Sequence, residues 1–390
     1  MLKLGWLVAM AGLLLGASGA GAQVPIGSAA PSLLRLTPEQ QQILLPAVET
    51  AYRVNAIKRG DRVRPLPLAA SQIDPSRVLD GTTWSVDSYM RAHRVSGLLV
   101  LKDGEILLER YGLGRGPTDR WISYSVAKSV TSTLVGAAVQ DGKLSIDAPI
   151  TRYLPELKGT AYDGATVRHL VTMSSGVRWN EDYSDPNSDV ARVSAPTGEP
   201  GHPILNYLKK VPREHAPGTT FHYNTAETDL VGLIVSRATG EALADYASRK
   251  IWKPYGMERD ANWLVDAQGH ERGGCCISMT LRDYARFGQF MLEGGIADGK
   301  RILPDGWIDK ATTPQITNGA RPPGYGYFWW MRPQGYAALG IFGQAIVIYP
   351  RERIVVAFNS AWPSAGDETL WVAQSAVADA LRLAAMRSEP

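Results

Sequence analysis

Ser125 and Lys128 stand three residues apart at the front of an apolar run, "SVAKSVTSTLVGAAVQDG". On a helix, positions i and i+3 are neighbours on one face. Lys128 would then sit beside Ser125. A serine hydroxyl is a poor nucleophile until a base takes its proton. A partly desolvated lysine has a lowered pKa and can be that base. Free N–H groups at a helix start suit a developing oxyanion. Alone the pair is a weak signal, since a helix cap followed by a solvated lysine reads the same way. Its setting strengthens it: a strand, a loop, then a long apolar helix opening at the serine.

Tyr223-Asn224-Thr225 is the second element, just before another apolar helical run. A phenol near a lysine can shuttle a proton between nucleophile and leaving group. Alone, Tyr223 reads better as a ring packed at a seam; with Ser125 and Lys128 upstream, the proton shuttle is preferred. The third element is Ala338-Leu339-Gly340-Ile341 in "AALGIFGQAIVIYP". Glycine within a strand marks close approach of a ligand or backbone. The Ile341 N–H could join that of Ser125 as a two-donor oxyanion hole. A sheet glycine beneath a bulky neighbour fits the same spacing, and spacing alone leaves both open.

Six histidines show no HExxH or comparable ligand spacing, so no metal and no cofactor is expected. Cys275 and Cys276 are adjacent. A bond between neighbouring cysteines is geometrically strained, and we expect two small buried residues without a catalytic neighbour in the sequence. The net charge is +3. That is too weak to argue for nucleic acid, and no basic block supports it.

The supporting elements follow from pattern. Lys3, an apolar stretch from Leu4 to Leu15 and Ala20-Gly21-Ala22 have the form of a secretory signal peptide over residues 1–22. This predicts export to the periplasm, with no transmembrane segment after cleavage. Residues 23–84 are read as an N-terminal extension, with a helical stretch from Thr37 to Ala56. Residues 85–390 form the main domain, with a helical insertion at about 125–314. A helix is expected from Val86 to Arg94. Strands Gly97–Lys102 and Glu105–Tyr111 flank the hairpin signal Asp103-Gly104. A helix from Ser125 to Val139 stops at Asp141-Gly142. "YGYFWWMR", "AALGIFGQAIVIYP" and "RIVVAFNS" are expected as three late strands, and "DETLWVAQSAVADALRLAAM" as a final helix. The early hairpin and late strands can share one antiparallel sheet covered by helices from both chain ends. The expected fold class is α+β, an α/β sandwich with an inserted mainly helical subdomain.

With these blocks in order, the chain resembles the serine β-lactamase and penicillin-binding protein superfamily, in its class C-like branch. That branch holds β-lactamases, D,D-peptidases, esterases and 6-aminohexanoate-dimer hydrolases. The resemblance spans roughly residues 85 to 385. "SYSVAKSVTSTLVGAAVQDGKL" resembles the nucleophile helix, "HLVTMSSGV" a following segment and "PGTTFHYNTAETDLVGLIVSRATG" the Tyr-motif block. "CCISMTLRDYARFGQFMLEGG" and "YGYFWW" resemble later blocks. The resemblance implies a β-lactamase-like fold and no cofactor. It implies Ser125 as acylated nucleophile, Lys128 as base, Tyr223 as proton donor to the leaving group, and Ser125 and Ile341 as oxyanion donors. "WNEDYSDP" resembles a dimer-hydrolase stretch in which a tyrosine reaches the substrate amide, which implies that place for Tyr183. A tyrosine packing the lid loop reads equally well there.

Two departures matter. The Lys-Thr-Gly or His-Thr-Gly box of the superfamily is Ala338-Leu339-Gly340 here. Its cation and hydroxyl help seat a substrate carboxylate, and burying that charge unpaired is costly. Thr225 also replaces the usual asparagine of the Tyr motif, although Asn224 is adjacent as a substrate contact. Both departures point to small esters or linear amides. The competing readings are a D,D-peptidase or class C-like β-lactamase, and a non-enzymatic protein on the same fold.

Overall fold

The computed structural model describes residues 30–193 and 200–387. The expected signal peptide lies outside them. No described helix is long and apolar enough to cross a membrane.

A six-stranded antiparallel sheet forms the centre. Its strands are β2 (Val95–Lys102), β3 (Glu105–Tyr111), β9 (Trp330–Arg332), β10 (Gly335–Leu339), β11 (Ala345–Tyr349) and β12 (Ile354–Ser360). Their order is β3-β2-β12-β11-β10-β9. Asp103 and Gly104 turn the β2–β3 hairpin with positive φ values of 52° and 85°. Every residue of β12 is buried, because helices cover both faces of the sheet. Period-two alternation sorts the side chains. Leu98, Val100, Val356 and Phe358 face the Val86–Ala92 and Glu368–Arg387 helices. Leu99, Leu101, Val355 and Ala357 face the main core, which includes the Val126–Gln140 and Leu281–Leu292 helices. The early hairpin and late strands thus share one sheet.

Three expectations need correction. The predicted helix from Thr37 to Ala56 is only Pro38–Leu44, opened by a Thr37–Gln40 capping box. Pro46 has no N–H to continue it and restricts the residue before it. The chain then enters β1 (Val54–Ile57). Second, "AALGIFGQAIVIYP" is two strands. Gly340 and Gly343 close a turn between β10 and β11, with Gly343 at φ 88°. In "YGYFWWMR" only the last three residues are strand. Third, a second sheet was missed. It joins β1 to β4 (Arg120–Ile122), β5 (Ala261–Leu264) and β6 (Ile277–Thr280), in the order β1-β5-β6-β4, while β7 (Ile296–Ala297) and β8 (Lys300–Arg301) pair as a separate small hairpin.

That second sheet delivers the chain to the serine. β4 pairs with β6, and Ser123 N–H then donates to Ile277 O at 2.7 Å. The residues before β1 support the same region. Ile122 N–H donates to Leu45 O at 3.0 Å, and the Tyr124 hydroxyl donates to Leu33 O at 2.9 Å.

Candidate active site

The turn into the Val126–Gln140 helix holds backbone strain. Tyr124 has φ 44°, a conformation that costs an L-residue about 1–3 kcal/mol. It is held there by burial, by its bond to Leu33 and by Phe342, whose ring lies 4.9 Å away. The next residue, Ser125, is the helix N-cap, yet its side chain caps nothing. Instead its Oγ accepts from Lys128 Nζ at 2.9 Å. The pair expected at i and i+3 is therefore formed.

Lys128 is 1% exposed. Its Nζ also donates to Thr225 Oγ1 at 3.1 Å and to Gly274 O at 2.8 Å. Burial lowers its pKa to about 8, while Glu181 and Asp229 pull it back up. An amine with that value is substantially neutral at mildly alkaline pH and can accept the Ser125 proton. Gly273 and Gly274 let their loop run between helices. A Cβ on Gly274 would lie 2.7 Å from Thr225 O, and one on Gly273 would lie 2.4 Å from Thr228 O. Asp229 holds the loop by accepting from Gly274 N–H at 2.8 Å.

Tyr223 reaches the same point. Burial raises its pKa strongly, Glu181 raises it further, and a hydrogen bond with Ser125 partly offsets both. The phenol stays protonated at neutral pH and can donate. Lys128 Nζ lies 5.1 Å from its ring centroid, and Trp330 stacks on the ring at 5.6 Å.

Gly340 closes the opposite wall. A Cβ there would lie 2.5 Å from Ser123 O, so only glycine lets the end of β10 approach the chain before Ser125. The residue follows the strand instead of sitting within it. Among the described residues, neither the Ser125 nor the Ile341 N–H donates to another group. Both are open to an oxyanion. β9 pairs only with Gly335–Ala337, so the edge from Ala338 onward is uncovered. Beside it lies a cavity of about 640 Å³, lined by Tyr183, Tyr223, Trp330, Leu339, Ile341 and Trp371 among others.

Glu181 is the residue that sequence reasoning missed. It lines the cavity and accepts from Tyr183 Oη at 2.8 Å and from Thr225 N–H at 3.1 Å. The Thr225 hydroxyl and Trp179 Nε1 donate to it as well. Its only signal was the alternation of Trp179, Glu181 and Tyr183. Tyr183 is half-buried at the cleft, with its hydroxyl turned to Glu181. Asn224 is not in the cleft. It is 1% exposed, caps the Thr225–Thr239 helix and donates to Glu227. The expected substrate contact is corrected to a helix cap: N-cap geometry turns the amide back toward its own first turn.

Cys275 and Cys276 are packed inward as small residues, Cys276 fully buried and Cys275 half-buried. The pair directly follows Gly274, so folding gives it the catalytic neighbourhood that sequence spacing did not show. A metal-ligand grouping also exists among the described residues. His202, Asp266 and His270 bring three donor atoms within 4.8 Å of one another. Spacing hid it, because His202 is far from the other two in sequence.

A buried lysine bonded to a serine at a helix start, with two open N–H groups and a tyrosine alongside, is an arrangement suited to a serine hydrolase. The β-lactamase family model matches residues 85–378, and the chain belongs to that family. Among its relatives is the 6-aminohexanoate-dimer hydrolase of Paenarthrobacter ureafaciens, 35% identical over 282 residues. That match covers 68% of this chain and 72% of the relative. Esterase EstB of Burkholderia gladioli is 29% identical over 225 residues, covering 50% and 56% of the two chains. A solved Bacillus anthracis structure, provisionally named a 6-aminohexanoate-dimer hydrolase, superposes with a TM-score of 0.79. It is 23% identical, covers 90% of this chain and 95% of its own, and shows the shared fold. The chain is thus a serine hydrolase of the amidase and esterase type.

Proposed function

We propose that the enzyme cleaves linear amides and short esters through an acyl-enzyme on Ser125. The carrying observation is the 2.9 Å contact between Lys128 Nζ and Ser125 Oγ in a buried site. Neutral Lys128 takes the Ser125 proton as Oγ attacks the substrate carbonyl. The Ser125 and Ile341 N–H groups receive the oxyanion. Tyr223 gives its proton to the departing amine or alkoxide and regains one through Lys128. Water, deprotonated by the same pair, then releases the acid and restores Ser125. Tyr183 lines the cleft beside Glu181 and Tyr223.

Substrate class follows from what the cleft offers. Ala338 and Leu339 carry no cation or hydroxyl for a carboxylate. The two arginines lining the cavity are already paired, Arg321 with Glu368 and Arg332 with Asp379. A lost charged hydrogen bond is worth roughly 1.5–3 kcal/mol, one to two decades in binding. This supports esters and linear amides over β-lactams and D-Ala-D-Ala peptides. The names of the two relatives fit the same reading. The Lys3 to Ala22 leader pattern supports export and a periplasmic location.

Intact-mass measurement tests the proposal. p-Nitrophenyl butyrate should add one acyl group to the wild-type chain and none to Ser125→Ala. Steady-state kcat/KM should be higher for the ester than for nitrocefin. The reverse order transfers the assignment to the cell-wall reading, and acylation of Ser125→Ala removes Ser125 as nucleophile.

A further inference from the structure

We propose that His202, Asp266 and His270 form a binding site for one divalent transition-metal ion of the Zn2+ type, outside the catalytic cleft. Two separate chain segments build it. His202 is the residue before the Pro203–Leu208 helix, while Asp266 and His270 belong to the turn after β5. Asp266 uses its two oxygens differently. Oδ1 accepts from the backbone N–H of Gln268 at 2.8 Å and of His270 at 3.0 Å. Oδ2 is left facing both imidazoles, 3.4 Å from His270 Nδ1 and 3.9 Å from His202 Nε2.

The spacing suits a metal. Tetrahedral Zn2+ with bonds near 2.0–2.2 Å sets its donors about 3.3 Å apart. The Asp266–His270 separation already matches, and the His202 separation closes with a small side-chain rotation. Two imidazoles and one carboxylate are a borderline donor set that fits Zn2+ and not Mg2+, leaving one position for water. The frame is rigid. Gln268 Nε2 donates to Gly201 O at 2.8 Å and ties the turn to the His202 segment. Arg53 holds the turn from the other side through Ala267 O, at 2.6 Å.

The second observation concerns the His202 ring. Its side chain is 11% exposed. Its Nδ1 is buried without a partner, and its Nε2 is beyond hydrogen-bond range of Asp266. The His270 ring stacks on it at 4.5 Å. A buried ring without a hydrogen bond is costly, and coordination at Nε2 would give it one partner, with Nδ1 still without one.

The test uses full-length, tag-free protein stripped with EDTA. Isothermal titration with ZnCl2 should give one ion per chain with Kd below about 10 μM. Saturating Zn2+ should raise the melting temperature by ~2–6 °C, and Mg2+ should not. His202→Ala and His270→Ala should each weaken Zn2+ binding by at least about 100-fold. His270 is half exposed, so its replacement leaves the fold standing even if His202→Ala does not. Binding weaker than 10 μM, or affinity unchanged in His270→Ala, overturns the proposal.

Discussion

The Thr225 hydroxyl stands between Lys128 and Glu181, accepting from the lysine at 3.1 Å and donating to the carboxylate. A charge in the cleft therefore reaches the serine's partner through one hydroxyl. Glu181 favours the protonated form of Lys128, against burial, which favours the neutral one. In the proposed mechanism, the balance between them sets the pH at which Lys128 can take the Ser125 proton.

This gives a pH profile. kcat/KM for p-nitrophenyl butyrate should rise with pH along an acid limb centred at about 8, as Lys128 loses its proton. Glu181→Gln removes the charge that holds the proton, so the limb should move to lower pH. A pH–rate series on both proteins checks this. A limb that stays in place in Glu181→Gln disconnects the carboxylate from Lys128.

Thr225→Val keeps the side-chain shape and deletes the bridge. Lys128 loses one of three acceptors, and Glu181 loses a donor. A buried hydrogen bond of this kind is worth about 1–2 kcal/mol, so kcat should fall roughly 10-fold. Thr225→Ser should retain most of the rate. Equal losses in the two variants would make the methyl group, not the hydroxyl, the important part.

Gly340→Ala places a methyl group against Ser123 O. The end of β10 must retreat, and Ile341 N–H retreats with it. We expect a stability loss of ~1–3 kcal/mol and a larger fall in kcat than in KM. Urea denaturation and steady-state kinetics separate the two effects. Wild-type kcat in a destabilised variant would remove Ile341 from the oxyanion site.

Much of this site was legible because its first part is local. The Ser125–Lys128 pair needs only one helix, and apolar periodicity announced that helix. The β2–β3 hairpin was equally local, carried by Asp103-Gly104. The four-stranded sheet was not legible, since its strands are three or four residues long and come from distant segments. Glu181 failed for a related reason. Its importance comes from Thr225 and Lys128, which belong to two helices distant from it in sequence. Asn224 was misplaced because a side chain beside a functional tyrosine can face either the cleft or its own helix, and capping chose the latter.

Beneath that cap, burial raises the Glu227 pKa to about 8. Ser175 donates to one of its oxygens, and the other is buried without a partner. The folded chain holds the proton more tightly than the unfolded chain, whose value is near 4.5. The stabilising contribution is complete below pH 4.5 and is lost as pH rises through 8. Glu227→Gln imitates the protonated form, so its melting temperature should fall less than wild type between pH 5 and pH 8. Calorimetry at the two values decides this, and parallel shifts would mean that Glu227 does not titrate in this range.

The position of β12 carries a consequence for how the molecule is made. This strand is the last of the sheet to be synthesised, yet it lies between β2 and β11. Until it arrives, the early hairpin and the late meander are two pieces with no shared middle. Loop closure over such separations is slow, and strand edges stay open meanwhile. A ribosome-bound chain therefore has no complete sheet until Ser360 has emerged. The Leu281–Leu292 helix, which packs on β2 and β12, must spend that interval without half of that surface, so protection during biogenesis falls to whatever holds the nascent chain.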